Sequence, residues 1–381
     1  MAQRPIRLGM VGGGEGAFIG GVHRMAARLD GQFELVAGAL SSTAERAQES
    51  GRALGLAAER VYDDYEAMAK REARLKDGIE AVAIVTPNHM HAPVAKAFLR
   101  RGIHVICDKP LTATLAEAKK LAKAAADTGT VFVLTHNYTG HPMIRQARAM
   151  VAAGEIGRVR VVQVEYAQGW LATAAEDAGS KQAEWRTDPA RSGAGGSVGD
   201  IGTHAFNLAG FVTGLRLEAL AADLQAFVPG RRLADNGNVL LRYDGGTRGM
   251  LWCSQVAVGQ ENGLRRRVSG EPGGLEWAQE EPDRLWHSAL DQPKRLITRG
   301  GVRAGPEAAR VTRVPAGHPE GYLEAFATIY AEAARAIRAR QAGEPVPADV
   351  VFPGSKDGVA GVAFVDACVR SSTRNGAWVK L

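Results

Sequence analysis

Apolar runs and amphipathic stretches alternate through the first third of the chain. The apolar runs are short and bounded by turn residues, which favours buried strands, and the stretches between them have helical periodicity. The predicted strands are Ile6–Val11, Phe33–Leu40, Ile79–Val85, Ile103–Ile106 and Val131–Leu134. The predicted helices are Ala17–Leu29, Thr43–Leu54, His91–Arg101 and Thr114–Asp127. Strands that alternate with helices predict an α/β fold with a doubly wound parallel sheet.

After Asn137 the pattern changes to alternating apolar and polar positions joined by turns, without a helix between each pair. This pattern predicts an α+β second domain with a largely antiparallel open sheet. We therefore expect domains at 1–137 and 138–381. The predicted strands are Val159–Tyr166, Leu217–Phe227, Asn238–Tyr243, Thr247–Val256 and Leu264–Gly270, and the predicted helices are Met143–Ala152, Tyr322–Arg340 and Lys356–Arg370. The Pro-, Gly- and Arg-rich region Glu281–Val314 is interpreted as a long excursion.

Composition narrows the classes of partner. The 381 residues include 47 basic and 41 acidic side chains, a formal net charge of +6. The densest basic run, Arg265–Arg267, lacks interleaved aromatic residues and is interpreted as a solvated strand end or turn, so we expect no nucleic-acid partner. Cys107, Cys253 and Cys368 lie far apart, and we expect neither a disulfide framework nor a metal site. No long apolar span or signal region is present, which predicts a cytoplasmic protein without a membrane partner.

Glycines follow the first strand directly and precede the first helix. Gly12 and Gly14 fit the first two positions of G-x-G-x-x-G, Gly16 follows, and the third position is Ala17. Gly20 can take the third role after a three-residue insertion. Glycines in such a turn let backbone amides approach a pyrophosphate, and the helix N-terminus adds positive charge. A dinucleotide site is therefore favoured over a merely flexible loop.

The end of the second predicted strand bears on which dinucleotide is bound. NAD sites usually carry an acidic residue there for the ribose diol. This chain has Ser41 and Ser42, with Arg46 shortly after, and no acid. Hydroxyls and an arginine are compatible with NAD or with the 2′-phosphate of NADP.

Two further predicted strands also end in polar residues. The first is followed by Thr86, Pro87 and Asn88, and then by His91 at the start of a helix. The second ends in Asp108-Lys109-Pro110, where proline restricts the backbone of the lysine before it. Because open parallel sheets bind ligands at the carboxyl ends of their strands, these residues are candidates for cofactor and substrate contacts. For His91 a capping or packing role and a substrate-side role are both open.

A second glycine turn, Gly195-Gly196, leads into a predicted helix over Val198–Phe211. Asp200 and His204 are four residues apart and share one face of it. An aspartate and a histidine so placed can bind polyol hydroxyls, with the histidine as proton acceptor. The alternative is a capping aspartate and a histidine packed in the interior.

Together these motifs resemble the Gfo/Idh/MocA oxidoreductases, a family of sugar and polyol dehydrogenases, nearly end to end. The family's usual Glu-Lys-Pro is here Asp108-Lys109-Pro110. The resemblance implies a Rossmann domain, a second domain whose exposed sheet face forms a homodimer or homotetramer interface, and a cyclic polyol or sugar substrate of the inositol or aldose type. It also implies that Lys109, Asp200 and His204 are catalytic. Because the relatives it suggests are catabolic polyol dehydrogenases, NAD is slightly favoured over NADP.

The motifs and the resemblance together assign contacts. Cofactor contacts are expected from Gly12, Gly14, Gly16, Ser41, Ser42, Arg46, Thr86, Pro87, Asn88, His91, Asp108 and Lys109. Substrate contacts are expected from Lys109, Trp185, Arg186, Asp200, His204 and His318. Either Lys109 or His204 can serve as the base. Two alternatives are a non-redox, glycosidase-type lyase that uses NAD transiently and a nucleotide-binding sensor without chemistry.

Overall fold

The computed structural model describes residues 4–381, which divide into two compact units. The first contains the chain up to Asn137 together with Leu323–Val359, and the second contains Tyr138–Tyr322 and Ala360–Leu381. The sequence analysis places its domain boundary at the same residue and expects one uninterrupted second domain, whereas Leu323–Val359 belongs to the first compact unit.

Strands and helices alternate in the early part of the chain, and strands dominate from β6 onward. The strands are β1 (Ile6–Gly12), β2 (Phe33–Ala39), β3 (Ala81–Val85), β4 (His104–Cys107), β5 (Phe132–Leu134), β6 (Val159–Ala167), β7 (Leu217–Gln225), β8 (Asn236–Tyr243), β9 (Arg248–Ser254), β10 (Gly263–Gly270), β11 (Gly273–Ala278), β12 (Arg284–Ala289), β13 (Arg295–Thr298) and β14 (Val379–Lys380). The helices are α1 (Phe18–Leu29), α2 (Ala44–Ala53), α3 (Tyr65–Glu72), α4 (His91–Leu99), α5 (Leu115–Thr128), α6 (Pro142–Ala152), α7 (Lys181–Arg186), α8 (Pro189–Ser192), α9 (Thr203–Thr213), α10 (Pro306–Ala309), α11 (Tyr322–Gln341) and α12 (Ser355–Ser372).

The first unit is built on a five-stranded parallel sheet of order β2-β1-β3-β4-β5. Its third strand, β3, is buried at every position, as its unbroken apolar sequence requires. The strand order reverses between β1 and β3, and such a switch point opens a crevice at the carboxyl ends of the strands. Gly12 at the end of β1 pairs with Val85 at the end of β3, so the glycine turn lies at this point.

Helix α11 completes the core of the first unit. The Tyr330 hydroxyl lies 2.7 Å from His23 Nδ1, and the Tyr330 ring packs edge-on against Phe33 at 5.3 Å. The Phe326 ring lies 4.7 Å from the His23 ring. Beyond the helix, the backbone N–H of Leu134 donates to the Pro353 carbonyl at 2.8 Å. The late segment is therefore an integral part of the first unit.

The second unit is built on a nine-stranded sheet of order β13-β12-β11-β10-β6-β9-β8-β7-β14. Its pairs are antiparallel except for β6 with β9, which run parallel. Strand β8 alternates between buried and exposed positions, because one face packs on the core and the other does not. Apolar residues of α6, α9 and α12 fill the buried face. On the opposite face Leu240 and Met250 remain about half exposed.

Two sequence expectations are wrong in this unit. Glu281–Val314 is not a structureless excursion, because it contains β12, β13 and α10. The basic run is not solvated throughout, because it lies within β10, where alternate side chains point to opposite faces. Arg265 and Arg267 are exposed, whereas Arg266 is completely buried. Over residues 4–381, no helix combines the length and the apolar character needed to cross a membrane.

Candidate active site

The glycine turn is held in a conformation that side chains would disrupt. Gly12 and Gly16 have φ of +77° and +75°, in the left-handed region that favours glycine. A Cβ on Gly12 would lie 2.4 Å from the Val85 carbonyl oxygen, and one on Gly14 would lie 2.7 Å from that of Leu40. The turn therefore presents bare backbone at the switch point, which is what a bound pyrophosphate requires.

Gly20 takes the role of the third glycine in the motif. A Cβ there would lie 2.4 Å from the carbonyl oxygen of Gly13, so α1 packs directly on the turn. In dinucleotide sites the third glycine permits this close packing between helix and strand. Arg24, one turn further along α1, donates to the same carbonyl oxygen at 2.5 Å. The three-residue insertion is thus accommodated within the usual architecture.

The residues after β2 are available to a ligand. Ser42 and Arg46 are exposed, and Ser41 is half-buried with its hydroxyl accepting from the Thr43 N–H. Behind them the Ser50 hydroxyl accepts from the Glu15 N–H, which ties α2 to the glycine turn. The segment after β2 therefore carries exposed hydroxyl and guanidinium groups, and the cofactor contacts expected of them remain a prediction.

His91 bridges the residues that follow β3 and β4. Its imidazole is buried, with Nε2 2.9 Å from the Thr86 carbonyl oxygen and Nδ1 2.7 Å from that of Pro110. Burial lowers the pKa of His91, although the charge of Asp108 opposes this. In the same turn Pro87 is half-buried and Asn88 is buried. The side chain of His91 therefore contacts backbone on both sides.

The carboxylate of Asp108 stabilises the turn that carries Lys109. Asp108 Oδ1 accepts from the Lys109 backbone N–H and from the Thr135 hydroxyl, each at 2.9 Å. His23 Nε2 lies 4.0 Å from the same oxygen. Burial alone would raise the pKa of Asp108, but His23 and Lys109 outweigh it and hold the pKa well below its ordinary value. Asp108 is therefore an anion at neutral pH, and the half-buried Lys109 follows it at the end of β4.

Asp200 lies on a π-helical turn, Val198–Gly202, which runs directly into α9. The sequence predicts one continuous α-helix here, and the wider turn is a difference of the kind found at functional sites. Asp200 Oδ2 accepts from Arg186 Nε at 3.1 Å and from Gln255 Nε2 at 2.8 Å. Its carboxylate is therefore fixed by two donors from other elements.

His204, at the start of α9, is 8% exposed and enclosed by aromatic rings. Tyr138 packs edge-on against it with ring centroids 4.9 Å apart, and Tyr166 lies at 6.1 Å. The two tyrosine hydroxyls are 2.5 Å apart. The sequence analysis missed both tyrosines, since neither belongs to a motif and only the fold brings them to His204.

The other predicted substrate residues lie in two places. The Arg186 guanidinium, which donates to Asp200, stacks over the Trp185 ring at 4.2 Å. His318 lies on an exposed loop before α11, where its carbonyl accepts from the buried Arg299. Among the residues that the structure describes, no group of three or more His, Cys, Asp or Glu side chains is arranged to hold a metal ion.

Comparison with known proteins defines the class. Residues 6–136 match the model of an oxidoreductase family with an NAD-binding Rossmann fold, and residues 144–276 match the GFO/IDH/MocA C-terminal domain. The chain belongs to the Gfo/Idh/MocA family of oxidoreductases, and its first domain is an NAD-binding Rossmann domain.

Similar proteins extend over the whole chain. An oxidoreductase from Sinorhizobium meliloti is 60% identical, with a TM-score of 0.89, over 99% of this chain and 100% of its own. An inositol dehydrogenase homolog from Azotobacter vinelandii is 39% identical over 99% of this chain and 98% of its own. It was solved with NAD+ (TM-score 0.96) and with NADH and myo-inositol (TM-score 0.93). Levoglucosan dehydrogenase from Pseudarthrobacter phenanthrenivorans is 27% identical over 98% of this chain and 97% of its own.

Proposed function

We propose that the protein is a dehydrogenase that oxidises a secondary hydroxyl of a cyclic polyol, with an inositol as the first candidate and an aldose or anhydrosugar as the second. The observation that carries the proposal is the fixed Asp200 on the π-helical turn, four residues before the enclosed His204 at the start of α9. Full-length similarity to a homolog solved with NADH and myo-inositol supports the inositol class. Similarity to levoglucosan dehydrogenase supports the second.

The residues around the glycine turn fit NAD. Bare backbone at Gly12 and Gly14 suits the pyrophosphate, and the exposed Ser42 and Arg46 suit the adenosine ribose. When bound, NAD supplies the hydride acceptor of the reaction. We favour NAD over NADP as the substrate of this enzyme because the similar solved structures contain NAD+ or NADH.

The roles of three side chains complete the proposal. His204 accepts the proton of the reacting hydroxyl, and Lys109 donates a hydrogen bond to the oxygen as alkoxide character develops. Asp200, held by Arg186 and Gln255, binds a neighbouring hydroxyl. A hydrogen-bond donor in the role of Lys109 typically stabilises the transition state by about 3–4 kcal/mol. If Lys109 is the base and His204 the donor instead, Lys109→Ala rather than His204→Ala would remove an ionisation from the pH–rate profile.

A substrate panel tests this function. Purified protein is mixed with NAD or NADP and with myo-inositol, scyllo-inositol, levoglucosan or an aldose, and absorbance of the reduced nicotinamide is followed. We expect steady reduction of NAD with at least one inositol. Lys109→Ala should lower turnover by more than about a hundredfold, with the Kd for NAD nearly unchanged, because the side chain acts on the substrate oxygen. Product formation without net cofactor reduction would instead establish the lyase alternative, and NAD binding without turnover the sensor.

We also propose that the exposed face of the nine-stranded sheet forms a homodimer or homotetramer interface in the cytoplasm. Leu240 and Met250 expose apolar surface there, which is typical of interaction sites. Light scattering after size exclusion should show a dimer or tetramer, and Leu240→Glu with Met250→Glu should shift it toward the monomer. An oligomer unaffected by both changes would place the interface elsewhere.

A further inference from the structure

A buried histidine lies between helix α11 and the turn that carries Lys109. His23, in α1, is completely buried, and its Nδ1 lies 2.7 Å from the Tyr330 hydroxyl of α11. Its Nε2 lies 4.0 Å from Asp108 Oδ1 and has no hydrogen-bond partner within the part of the chain that the structure describes. The same Asp108 oxygen accepts from the Lys109 backbone N–H and from the Thr135 hydroxyl, each at 2.9 Å. All of these residues belong to the first unit.

The Asp108 carboxylate determines which nitrogen of a neutral His23 carries the proton. A neutral imidazole has one N–H and one nitrogen lone pair. A separation of 4.0 Å is longer than a hydrogen bond, but it is short enough for the anion to attract an N–H on Nε2 and to repel a lone pair there. The proton therefore belongs on Nε2, and Nδ1 accepts from Tyr330. Burial raises the pKa of Tyr330, so the phenol keeps the proton that it donates.

The N–H of His23 also bears on the charge of Asp108. Burial raises the pKa of this carboxyl, and among the neighbours that lower it His23 has the largest effect, ahead of Lys109 and His91. An ionised carboxylate accepts several hydrogen bonds at once, whereas a protonated one has fewer acceptor sites. An N–H that faces Asp108 therefore supports the two bonds that the same oxygen makes to the Lys109 backbone and to Thr135.

Aromatic packing surrounds the imidazole on the side of α11. The Phe326 ring lies 4.7 Å from the His23 ring, and the Tyr330 ring lies edge-on to it at 5.9 Å. Tyr330 itself packs edge-on against Phe33 at 5.3 Å. Because these contacts are made by the rings, Tyr330→Phe removes the bond to Nδ1 and leaves the packing in place. A loss of function in this variant would report on the hydrogen bond alone.

We propose that Tyr330 and His23 are positioning residues for Lys109, an inference that rests on the role of Lys109 in the proposed function. Tyr330 donates to Nδ1 and fixes the ring so that the Nε2–H faces Asp108. Asp108 in turn holds the backbone N–H of Lys109, which sets the point from which the lysine side chain extends. Helix α11 thereby acts on the turn at the end of β4.

A double-mutant cycle tests whether Tyr330 acts through Lys109. Tyr330→Phe should lower kcat by about threefold to tenfold, with the KM for the polyol and the Kd for NAD changed less than twofold, because a displaced donor is lost mainly in the transition state. In the Lys109→Ala background the same change should have almost no further effect on kcat. A merely structural role of Tyr330 predicts the same fold-loss in both backgrounds, and that result would overturn the inference.

Two replacements of His23 test its N–H directly. A glutamine amide can present an N–H near the position of Nε2, whereas leucine has no donor. His23→Gln should therefore keep most of the wild-type kcat, and His23→Leu should lose about tenfold if the donor supports the lysine turn. Equal losses in the two variants would contradict a role for the N–H. If His23→Leu folds poorly, the cycle with Tyr330→Phe still decides.

Tyr62→Phe is the matched control for the loss of a buried phenol in the same unit. The Tyr62 hydroxyl donates to Glu72 Oε1 at 2.6 Å, and Glu72 also accepts from the Ile79 N–H just before β3. This bond lies at the amino end of the sheet, whereas Lys109 follows the carboxyl end of β4. Tyr62→Phe should therefore lower the melting temperature and leave kcat unchanged.

The protonation of the His23 ring, read from its ¹⁵N NMR shifts at mildly alkaline pH, needs no substrate. Comparison with the spectrum of His23→Gln assigns the signals. We expect a neutral ring with its proton on Nε2, and in Tyr330→Phe the Nδ1 signal should move to that of an acceptor without a donor. A wild-type ring protonated on Nδ1, or on both nitrogens, would overturn this inference even where polyol oxidation is observed. An unchanged kcat in Lys109→Ala would instead refute the proposed role of Lys109 and the inference with it.

Discussion

At the residue scale, the environment of Arg266 is unfavourable for a cation. Leu264 and Val268 lie two residues before and after it on the same face of β10, and Val164 and Trp277 are its cross-strand partners. Its guanidinium is completely buried, and none of its three nitrogens has a hydrogen-bond partner within residues 4–381. Burial lowers the pKa of Arg266 to about 9. A buried cation without a partner opposes folding, because its lost hydration is not replaced.

Replacement of Arg266 by methionine should therefore stabilise the protein. We expect the free energy of unfolding to rise by about 1–4 kcal/mol at pH 7, measured by urea denaturation. The exposed neighbour, as Arg265→Met, is the control and should change it by less than about 0.5 kcal/mol. Because the pKa of Arg266 is lower in the folded state, the free-energy cost of burying its cation is fully present below pH 9 and declines as the pH rises through 9. The advantage of Arg266→Met should therefore narrow between pH 8 and 10, and a destabilised variant would show that the cation has a stabilising role.

At the scale of elements, the contact between α1 and the glycine turn sets the geometry of the cofactor site. Gly20 and Gly21 are adjacent in α1, yet their surroundings differ. A Cβ on Gly20 would lie 2.4 Å from the Gly13 carbonyl oxygen, whereas the nearest atom to one on Gly21 is Arg24 Nη2 at 4.0 Å. One added methyl group is therefore a sharp probe of this contact.

Gly20→Ala should weaken NAD binding by about tenfold or more, because overpacking of about 1–3 kcal/mol pushes the turn away from α1. Gly21→Ala should leave the Kd unchanged and stabilise the helix by up to about 1 kcal/mol. Isothermal titration with NAD measures both. Equal Kd values for the two variants would show that the turn does not depend on this packing.

The sequence predicted the elements of the first unit well, because β3 and its neighbours have strong local patterns. It failed where local signals are weak or misleading. Because their region is rich in proline, glycine and arginine, β12 and β13 were not identified as strands. Because Arg266 belongs to a basic run, it was interpreted as a surface residue. His91 and Lys109 were predicted as site residues from their positions at strand ends, and Asp200 and His204 from their spacing on a helix. The meeting of Tyr138 and Tyr166 with His204 depends instead on how α9 packs against β6, which sequence spacing does not record.

At the scale of the whole molecule, the proposed reaction assigns Lys109 and His204 to the same oxygen of the substrate, although they lie on elements distant in the chain. Groups that act as a unit on one transition state give strongly non-additive losses when both are removed. The double variant Lys109→Ala, His204→Ala should therefore turn over little more slowly than the slower single variant. The kcat of all three, measured with saturating NAD, checks this. If the fold-losses in kcat of the two single variants multiply in the double variant, the two residues act in separate steps.

The membership of Leu323–Val359 in the first unit has a consequence for how the protein is made. Tyr330 contacts His23 and Phe33, which lie near the start of the chain. During synthesis the ribosome must therefore deliver all of the second unit's longer segment, Tyr138–Tyr322, before the cofactor-binding unit can close its own core. Until α11 is translated, the surface of the first unit that α11 covers stays exposed. NAD-binding competence consequently follows the translation of α11, although the glycine turn is translated well before that helix.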